Sequence, residues 1–231
     1  MNTLNRIVAD QAWQMPRRFA LTLAMLFLVV YIAAVIAGSA IQSALRLPLA
    51  MGWSQHIAAT ATAVLFAFAL REPRAQLGLR RPTRGWFMTA ILAAAAIVIG
   101  GVLASLALPP DHTRYSLEWF VSEATLPGLG EEFGLRGPWL ALVLVGAAQS
   151  RWPSRVPAWL VLGVAAVPFA ALHILESSGL KLVVLFGFTF FAGVALQWAR
   201  LRNNSIWTAI LAHNLANVVS GLMDWMMHAS K

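Results

Sequence analysis

Long apolar stretches alternate with short polar breaks along the whole chain. Their continuous apolarity predicts helices rather than the strands of a membrane barrel, in which polar and apolar residues alternate over about ten positions. Each stretch approaches the roughly 20 residues that a helix needs to cross the hydrocarbon core. The pattern therefore predicts an all-α, polytopic membrane bundle of about seven spanning helices. The predicted spans are Phe19–Leu45, Met51–Leu70, Trp86–Leu108, Leu126–Gln149, Val156–Leu175, Leu180–Ala199 and Ser205–Met227.

Two further features refine this organisation. The first apolar stretch is much longer than the roughly 7–15 residues of a signal-peptide core, so we expect it to be retained as an anchor. After the third span, Ser116–Thr125 predicts a short amphipathic helix along the membrane surface. No repeat or linker divides the chain, which predicts one integral-membrane domain over residues 1–231.

The composition agrees with a membrane protein and excludes several other classes. Of 231 residues, 59% are hydrophobic and only 11% charged, whereas a soluble domain carries about a quarter charged residues. Cysteine is absent, which excludes disulfides, thiolate metal sites and a cysteine nucleophile. The net charge of +8 comes without a basic run interleaved with aromatics, so we expect no nucleic-acid partner.

The basic residues predict the orientation of the bundle. Most of them lie in the N-terminal leader and in alternate loops, including residues 71–84 and the pair Arg200 and Arg202. Since Lys and Arg collect in cytoplasmic loops, the N-terminus is predicted in the cytoplasm and the C-terminus outside. The strong preference for Arg over Lys is typical of a bacterial chain, which would place the protein in the cell membrane.

Ionisable residues at bilayer depth are costly and therefore usually functional. Here they concentrate in the last four spans, whereas the middles of the first three spans contain essentially none. The chemistry is therefore expected in the C-terminal half. His56, His112 and His228 lie near predicted interfaces, and we assign no chemistry to them. The polar residues at depth are Glu131, Glu132, Arg136, His173, His213 and Asn217.

Helical spacing sorts these residues into roles. Glu132 and Arg136 are four residues apart and share a face, which predicts a structural ion pair. Glu131 points about 100° away around the helix and need not share that Arg. Gly130 and Gly134 have the small-xxx-small spacing that lets another helix approach closely.

Two other spans each carry a histidine that shares a helix face with a second residue four positions away. Phe169 shares a face with His173, and His213 shares one with Asn217. Three helices can therefore bring one free carboxylate, two imidazoles and one carboxamide together.

This set of side chains suits the activation of water. The carboxylate of Glu131 can act as a base, and His173 can share the proton or orient the water. His213 and Asn217 offer N–H donors for the oxyanion that forms when an amide is attacked. Glu131, His173 and His213 are also possible zinc ligands, but no HExxH helix is present, so we expect neither metal nor cofactor.

Three motifs in order resemble those of the CPBP family, the CAAX proteases and bacteriocin-processing (Abi) proteins. They are EExxxR at Glu131–Arg136, FxxxH at Phe169–His173 and HxxxN at His213–Asn217. The resemblance covers about 126–221, the predicted catalytic core. It implies a metal-free, glutamate-dependent intramembrane endopeptidase related to the Ras-converting enzymes.

Carried over position by position, the resemblance makes Glu131 the base, assisted by His173. His213 and Asn217 would form the oxyanion site. Glu132, Arg136 and Phe169 would be supporting residues. The expected partners are the bilayer and a membrane-associated or lipidated protein or peptide.

Two other classes of function remain open. A non-catalytic scaffold or bacteriocin-immunity protein of the same fold would keep the motifs in an idle site. A proton-coupled transporter would also place acids and histidines at depth, but it would usually show repeated halves and broken helices, and the sequence shows neither.

Overall fold

The architecture is described from a computed structural model, which covers residues 16–46, 52–70, 77–108, 116–148, 158–175 and 177–228. These residues are helical wherever they are regular, and no strand occurs among them. The helices are α1 (Arg17–Ala44), α2 (Trp53–Leu70), α3 (Trp86–Ser105), α4 (Leu117–Glu123), α5 (Leu140–Ala148), α6 (Ala158–Leu172), α7 (Gly179–Asn203) and α8 (Ile206–His228). Two π-helical turns, Gly128–Glu132 and Leu135–Trp139, precede α5.

The predicted all-α membrane bundle is confirmed. Within the described residues, five helices are long and apolar enough to cross a membrane, namely α1, α2, α3, α7 and α8. Large apolar side chains cover their outer faces, and Phe68 and Leu103 are 74% and 62% exposed. Such a surface would cause aggregation in water and is stable when lipid covers it.

The fourth predicted span is not the uninterrupted helix that the sequence predicted. Its backbone forms two π-helical turns and bends at Gly137, whose φ and ψ are −86° and −107°. Pro138 follows directly and lacks the N–H that an α-helix would use, which accounts for the break. The expectation of no broken helix was therefore wrong, although Pro138 was a visible signal. The motif carrying both glutamates lies in this irregular segment.

The irregular segment and α5 lie at the centre of the bundle. Every residue from Gly134 to Gly146 is buried, and α1, α2, α6 and α8 pack around them. The indole N–H of Trp139 donates to the carbonyl of Ala165 on α6 at 2.9 Å. The described part of the helix next to it, α6, has 15 residues.

The close approach predicted for the two motif glycines is confirmed, and α1 and α2 are the helices that approach. A methyl group at Gly134 would overlap the ring of Tyr31 from α1. One at Gly130 would lie 3.1 Å from Nδ1 of His56 on α2. The Tyr31 hydroxyl also donates to the carbonyl of Gly130 at 3.0 Å. The first two helices therefore reach the backbone on either side of the glutamates.

Helix α4 confirms the predicted short helix between the third and fourth spans. Its N-cap is Ser116, whose hydroxyl accepts from the backbone N–H of Trp119 at 3.1 Å. The Trp119 ring packs so tightly on Gly221 of α8 that any side chain there would collide with it. Helix α4 is thus fixed against the last helix, close to the residues of the third motif.

The other end of α8 is fixed by the loop before α3. The backbone N–H of Ile206 donates to the carbonyl of Gly78 at 2.9 Å. The hydroxyl of Ser205 donates to the backbone carbonyl of Arg80 at 2.8 Å. The sequence analysis placed Arg200 in a loop, which is wrong: Arg200 lies inside α7 and is fully buried. These contacts set the position of α8 and therefore of its polar face.

Candidate active site

The four residues predicted as catalytic line one cavity inside the bundle. Glu131, His173, His213 and Asn217 all contribute to the wall of a cavity of about 280 Å³. A second cavity of about 470 Å³ adjoins it and extends between α1, α2 and the end of α6. The residues that line both cavities are Gln55, His56, Glu131 and His173.

The two neighbouring glutamates have different surroundings. Glu132 is fully buried, and its Oε1 lies 3.1 Å from Nη1 of Arg136 and 3.0 Å from Nδ1 of His213. The predicted ion pair is confirmed, whereas the added contact with His213 was not foreseen. Arg136 also donates to the carbonyl of Gly193 at 3.4 Å and lies over the Phe169 ring, 4.4 Å from its centre. Glu132 is therefore held by two cationic or potentially cationic groups.

Glu131 points in the other direction, as its position on the helix predicts. Its Oε2 lies 3.9 Å from Nε2 of His173, and this oxygen is buried without a hydrogen-bond partner among the described residues. The two side chains remain 18% and 35% exposed, so the pair borders open space rather than packed core. Of the two acids, Glu131 is thus the one available to a molecule in the cavity.

The tautomer of His173 follows from its other ring nitrogen. Nδ1 lies 2.7 Å from the carbonyl of Phe169, one turn back on α6, and a carbonyl can only accept. Nδ1 therefore carries the proton, and Nε2 of the neutral ring is an acceptor that faces Glu131. The ring of Phe169 lies 4.5 Å from that of His173 and restricts its orientation. The shared face predicted for these two residues is confirmed.

Asn217 reaches the cavity with a partner that the sequence analysis missed. Its Nδ2 donates to Oε2 of Glu123 at 2.7 Å, and Glu123 ends α4, outside the spanning segments. Burial raises the pKa of the Glu123 carboxyl above its ordinary value, although the His213 ring and the bond from Asn217 act in the opposite direction. An amide nitrogen has two hydrogens, so Asn217 keeps one donor for the cavity.

His213 and Asn214 occupy successive positions of the third motif and face different groups. His213 uses Nδ1 for Glu132, which leaves Nε2 on the side of the cavity. Asn214 accepts from the backbone N–H of Gly128 at 2.8 Å and donates to the carbonyl of Thr125 at 3.3 Å. Asn214 thereby ties α8 to the turn that carries the glutamates, a role without any signal beyond its place in the motif.

The N-terminal helices contribute residues that the sequence analysis excluded. His56, to which the sequence analysis assigned no chemistry, lies in the cavity wall, and Gln55 and Tyr31 line the same space. Periodicity could not reveal this, because it shows which residues share a face but not which helix meets that face. His112 and the side chain of His228 lie outside the described residues.

The fold and the cavity define a helical membrane protein whose acid and histidine side chains face an internal space. Residues 113–219, a little under half of the chain, match the family model described as Type II CAAX prenyl endopeptidase Rce1-like. The matched segment contains all three motifs, so the chain is similar over these residues to the CAAX prenyl endopeptidases of that model. No curated protein and no solved structure matches the chain.

Proposed function

We propose that the protein is a glutamate-dependent intramembrane endopeptidase that cleaves a membrane-associated or lipidated protein or peptide. The observation that carries the proposal is the contrast between two adjacent acids. Glu132 is neutralised by Arg136 and His213, whereas Oε2 of Glu131 has no hydrogen-bond partner among the described residues and faces His173. A site that needed only an ion pair to hold helices together would not require the second carboxylate.

Glu131 and His173 do not bond to each other directly, and a water molecule that enters from the cavity would bridge them. Their separation of 3.9 Å is too long for a direct hydrogen bond, and both facing atoms are acceptors when the ring is neutral. A water can donate one hydrogen to each and present its lone pair to a peptide carbonyl. Glu131 then takes a proton as the water oxygen attacks, and His173 holds the water in place.

His213 and Asn217 supply donors for the oxyanion that forms on the carbonyl. Asn217 is oriented by Glu123 and has a second N–H to offer. His213 can donate from Nε2 only when doubly protonated, with Glu132 accepting the hydrogen on Nδ1. The loss of one such donor typically lowers turnover by about 10²–10³-fold.

The larger cavity suggests the class of substrate. Its wall includes the apolar side chains Val35, Ile36, Ala59, Leu172 and Leu175, and it meets the smaller cavity at Glu131. Such a wall suits apolar side chains or a hydrocarbon chain next to the bond that is cut. A protein held in the bilayer by a helix or a lipid would present both.

The proteins cut by this enzyme can be found in living cells. In cells that carry Glu131→Ala, we expect one or a few membrane-associated precursors to accumulate uncut. Comparison of protein termini in membrane fractions from variant and wild-type cells measures this. Glu118→Gln is the matched control, because Glu118 bonds to the indole of Trp53 and does not line either cavity. Identical termini in all three strains would contradict the proposal.

We also propose the plasma membrane of a bacterium as the location, with a cytoplasmic N-terminus. The cysteine-free chain allows a direct test by single cysteines. A membrane-impermeant maleimide should label Leu117→Cys, on the exposed face of α4, in intact cells. Arg84→Cys, at the other end of α3, should react only after the membrane is opened. The reverse labelling pattern would show that the orientation is wrong.

A further inference from the structure

His56 is placed between the two cavities at the point where Glu131 and His173 also border both. It stands on α2, outside the segment that matches the protease family. The ring is brought there by Gly130, since a side chain at that position would press on its Nδ1 and on the backbone of α2. The approach of α2 to the glutamate motif thus places an imidazole in the wall of the two cavities that Glu131 also lines.

The three histidines of the cavity differ in what their rings bind. Nδ1 of His173 is hydrogen-bonded to the carbonyl of Phe169, and Nδ1 of His213 is hydrogen-bonded to Glu132. Within the described part of the chain, neither ring nitrogen of His56 has a hydrogen-bond partner. Both nitrogens keep some accessible surface, and the residue lines the cavity. An imidazole in this state can take up a proton at one nitrogen and release it from either.

Peptide hydrolysis needs a proton donor for the leaving nitrogen, because an amine cannot leave as an anion. We propose that His56 is a further catalytic residue, which protonates the nitrogen of the leaving amine. This inference rests on the proposed function. Glu131 takes one proton from water, and the water oxygen bonds to the carbonyl carbon while the C=O electron pair moves onto oxygen. Glu131 passes its proton to His56 through a water molecule in the cavity that both residues line.

The tetrahedral species then collapses, and every proton is accounted for. The electron pair on oxygen re-forms the C=O bond, and the C–N bond breaks with its electrons on nitrogen. His56 gives its proton to that nitrogen. The products are a carboxylic acid and a free amine, while Glu131 and His56 return to their starting forms. His173, whose Nδ1 is held by the carbonyl of Phe169, keeps the role of orienting the water.

A change of leaving group tests this role. A peptide substrate is compared with the same peptide in which a thioester replaces the scissile amide, because a thiolate leaves without a proton from the enzyme. For His56→Gln, kcat on the amide is expected to fall by about 10²-fold, since general acid catalysis contributes at least that much. On the thioester, kcat should fall less than about threefold. Ile57→Ala, next along α2 with a side chain 58% exposed, is the control and should cleave both substrates normally.

The assay separates failure of this role from failure of the proposed function. Glu131→Gln should lose activity on both substrates, because water attack is common to both; retained activity would overturn the proposed function. If His56→Gln loses equally on amide and thioester, or on neither, the proton-donor role of His56 is wrong. Thermal unfolding of each variant shows whether it is folded, and His56→Asn replaces the glutamine variant if that one is not.

Discussion

Replacement of Glu131 by glutamine is expected to lower kcat for peptide cleavage by about 10²–10⁴-fold, the range typical for loss of a general base. Glutamine keeps the shape of the side chain but cannot accept a proton from water. Because Oε2 of Glu131 has no hydrogen-bond partner among the described residues, little native structure should be lost with the charge. The measurement is steady-state cleavage by purified wild-type and variant protein in lipid, with thermal unfolding of both samples.

The same variant distinguishes the three classes of function. In a protease, Glu131→Gln stops cleavage; in a proton-coupled transporter, it stops gradient-driven uptake; in a scaffold or immunity protein, it leaves the phenotype intact. Glu118→Gln removes a carboxylate outside the cavities and should behave as wild type. Undiminished cleavage by Glu131→Gln would mean that another group activates the water, and the mechanism proposed for this cavity would be wrong.

The sequence predicts the part of this site that depends on single helices. Spacing of four residues correctly paired Glu132 with Arg136 and placed Phe169 beside His173. It also turned Glu131 away from Arg136, and the two glycines correctly indicated a close helix contact. These features follow from the 3.6-residue period of the α-helix and from the size of side chains, both of which can be read from a single segment.

The remaining features depend on which helices meet, and no periodicity contains that information. His56 sits near the start of its span, where a histidine is ordinarily an interfacial residue, and only its packing against Gly130 makes it part of the cavity. The sequence analysis assigned no role to Glu123, which lies in the predicted short helix and fixes Asn217. It placed Arg200 in a loop because this residue follows an apolar run, yet α7 continues to Asn203 and buries it.

The irregular backbone around the motif has a physical consequence for the site. In an α-helix, Glu131 and Glu132 would differ only by rotation around one axis. Here both lie in a π-helical turn, a form frequent at functional sites, and Gly137 bends the chain directly after Arg136. The two acids thereby face separate surroundings, one packed and one open. Stability and chemistry can therefore be tested on neighbouring residues.

Glu132→Gln is expected to lower the stability of the protein, whereas Glu131→Gln is expected to lower mainly its catalytic rate. The substitution leaves the fully buried Arg136 without its paired carboxylate, next to the Gly193 carbonyl and the Phe169 ring. Loss of one partner of a buried ion pair costs about 3–5 kcal/mol. We expect the free energy of unfolding to fall by about that amount. The measurement is equilibrium unfolding in mixed detergent micelles, with Glu131→Gln as the control of equal size.

A double variant separates the buried charge from other effects of the change. If the cost of Glu132→Leu comes from the unpaired guanidinium, then Glu132→Leu with Arg136→Met should be more stable than Glu132→Leu alone, since a buried pair can often be replaced by apolar side chains of similar volume. Recovery should be incomplete, because His213 also loses its partner at 3.0 Å. If Glu132→Gln unfolds no more readily than Glu131→Gln, the two acids do not divide stability and catalysis between them. The proposal that only Glu131 is free to act as the base would then lose its main support.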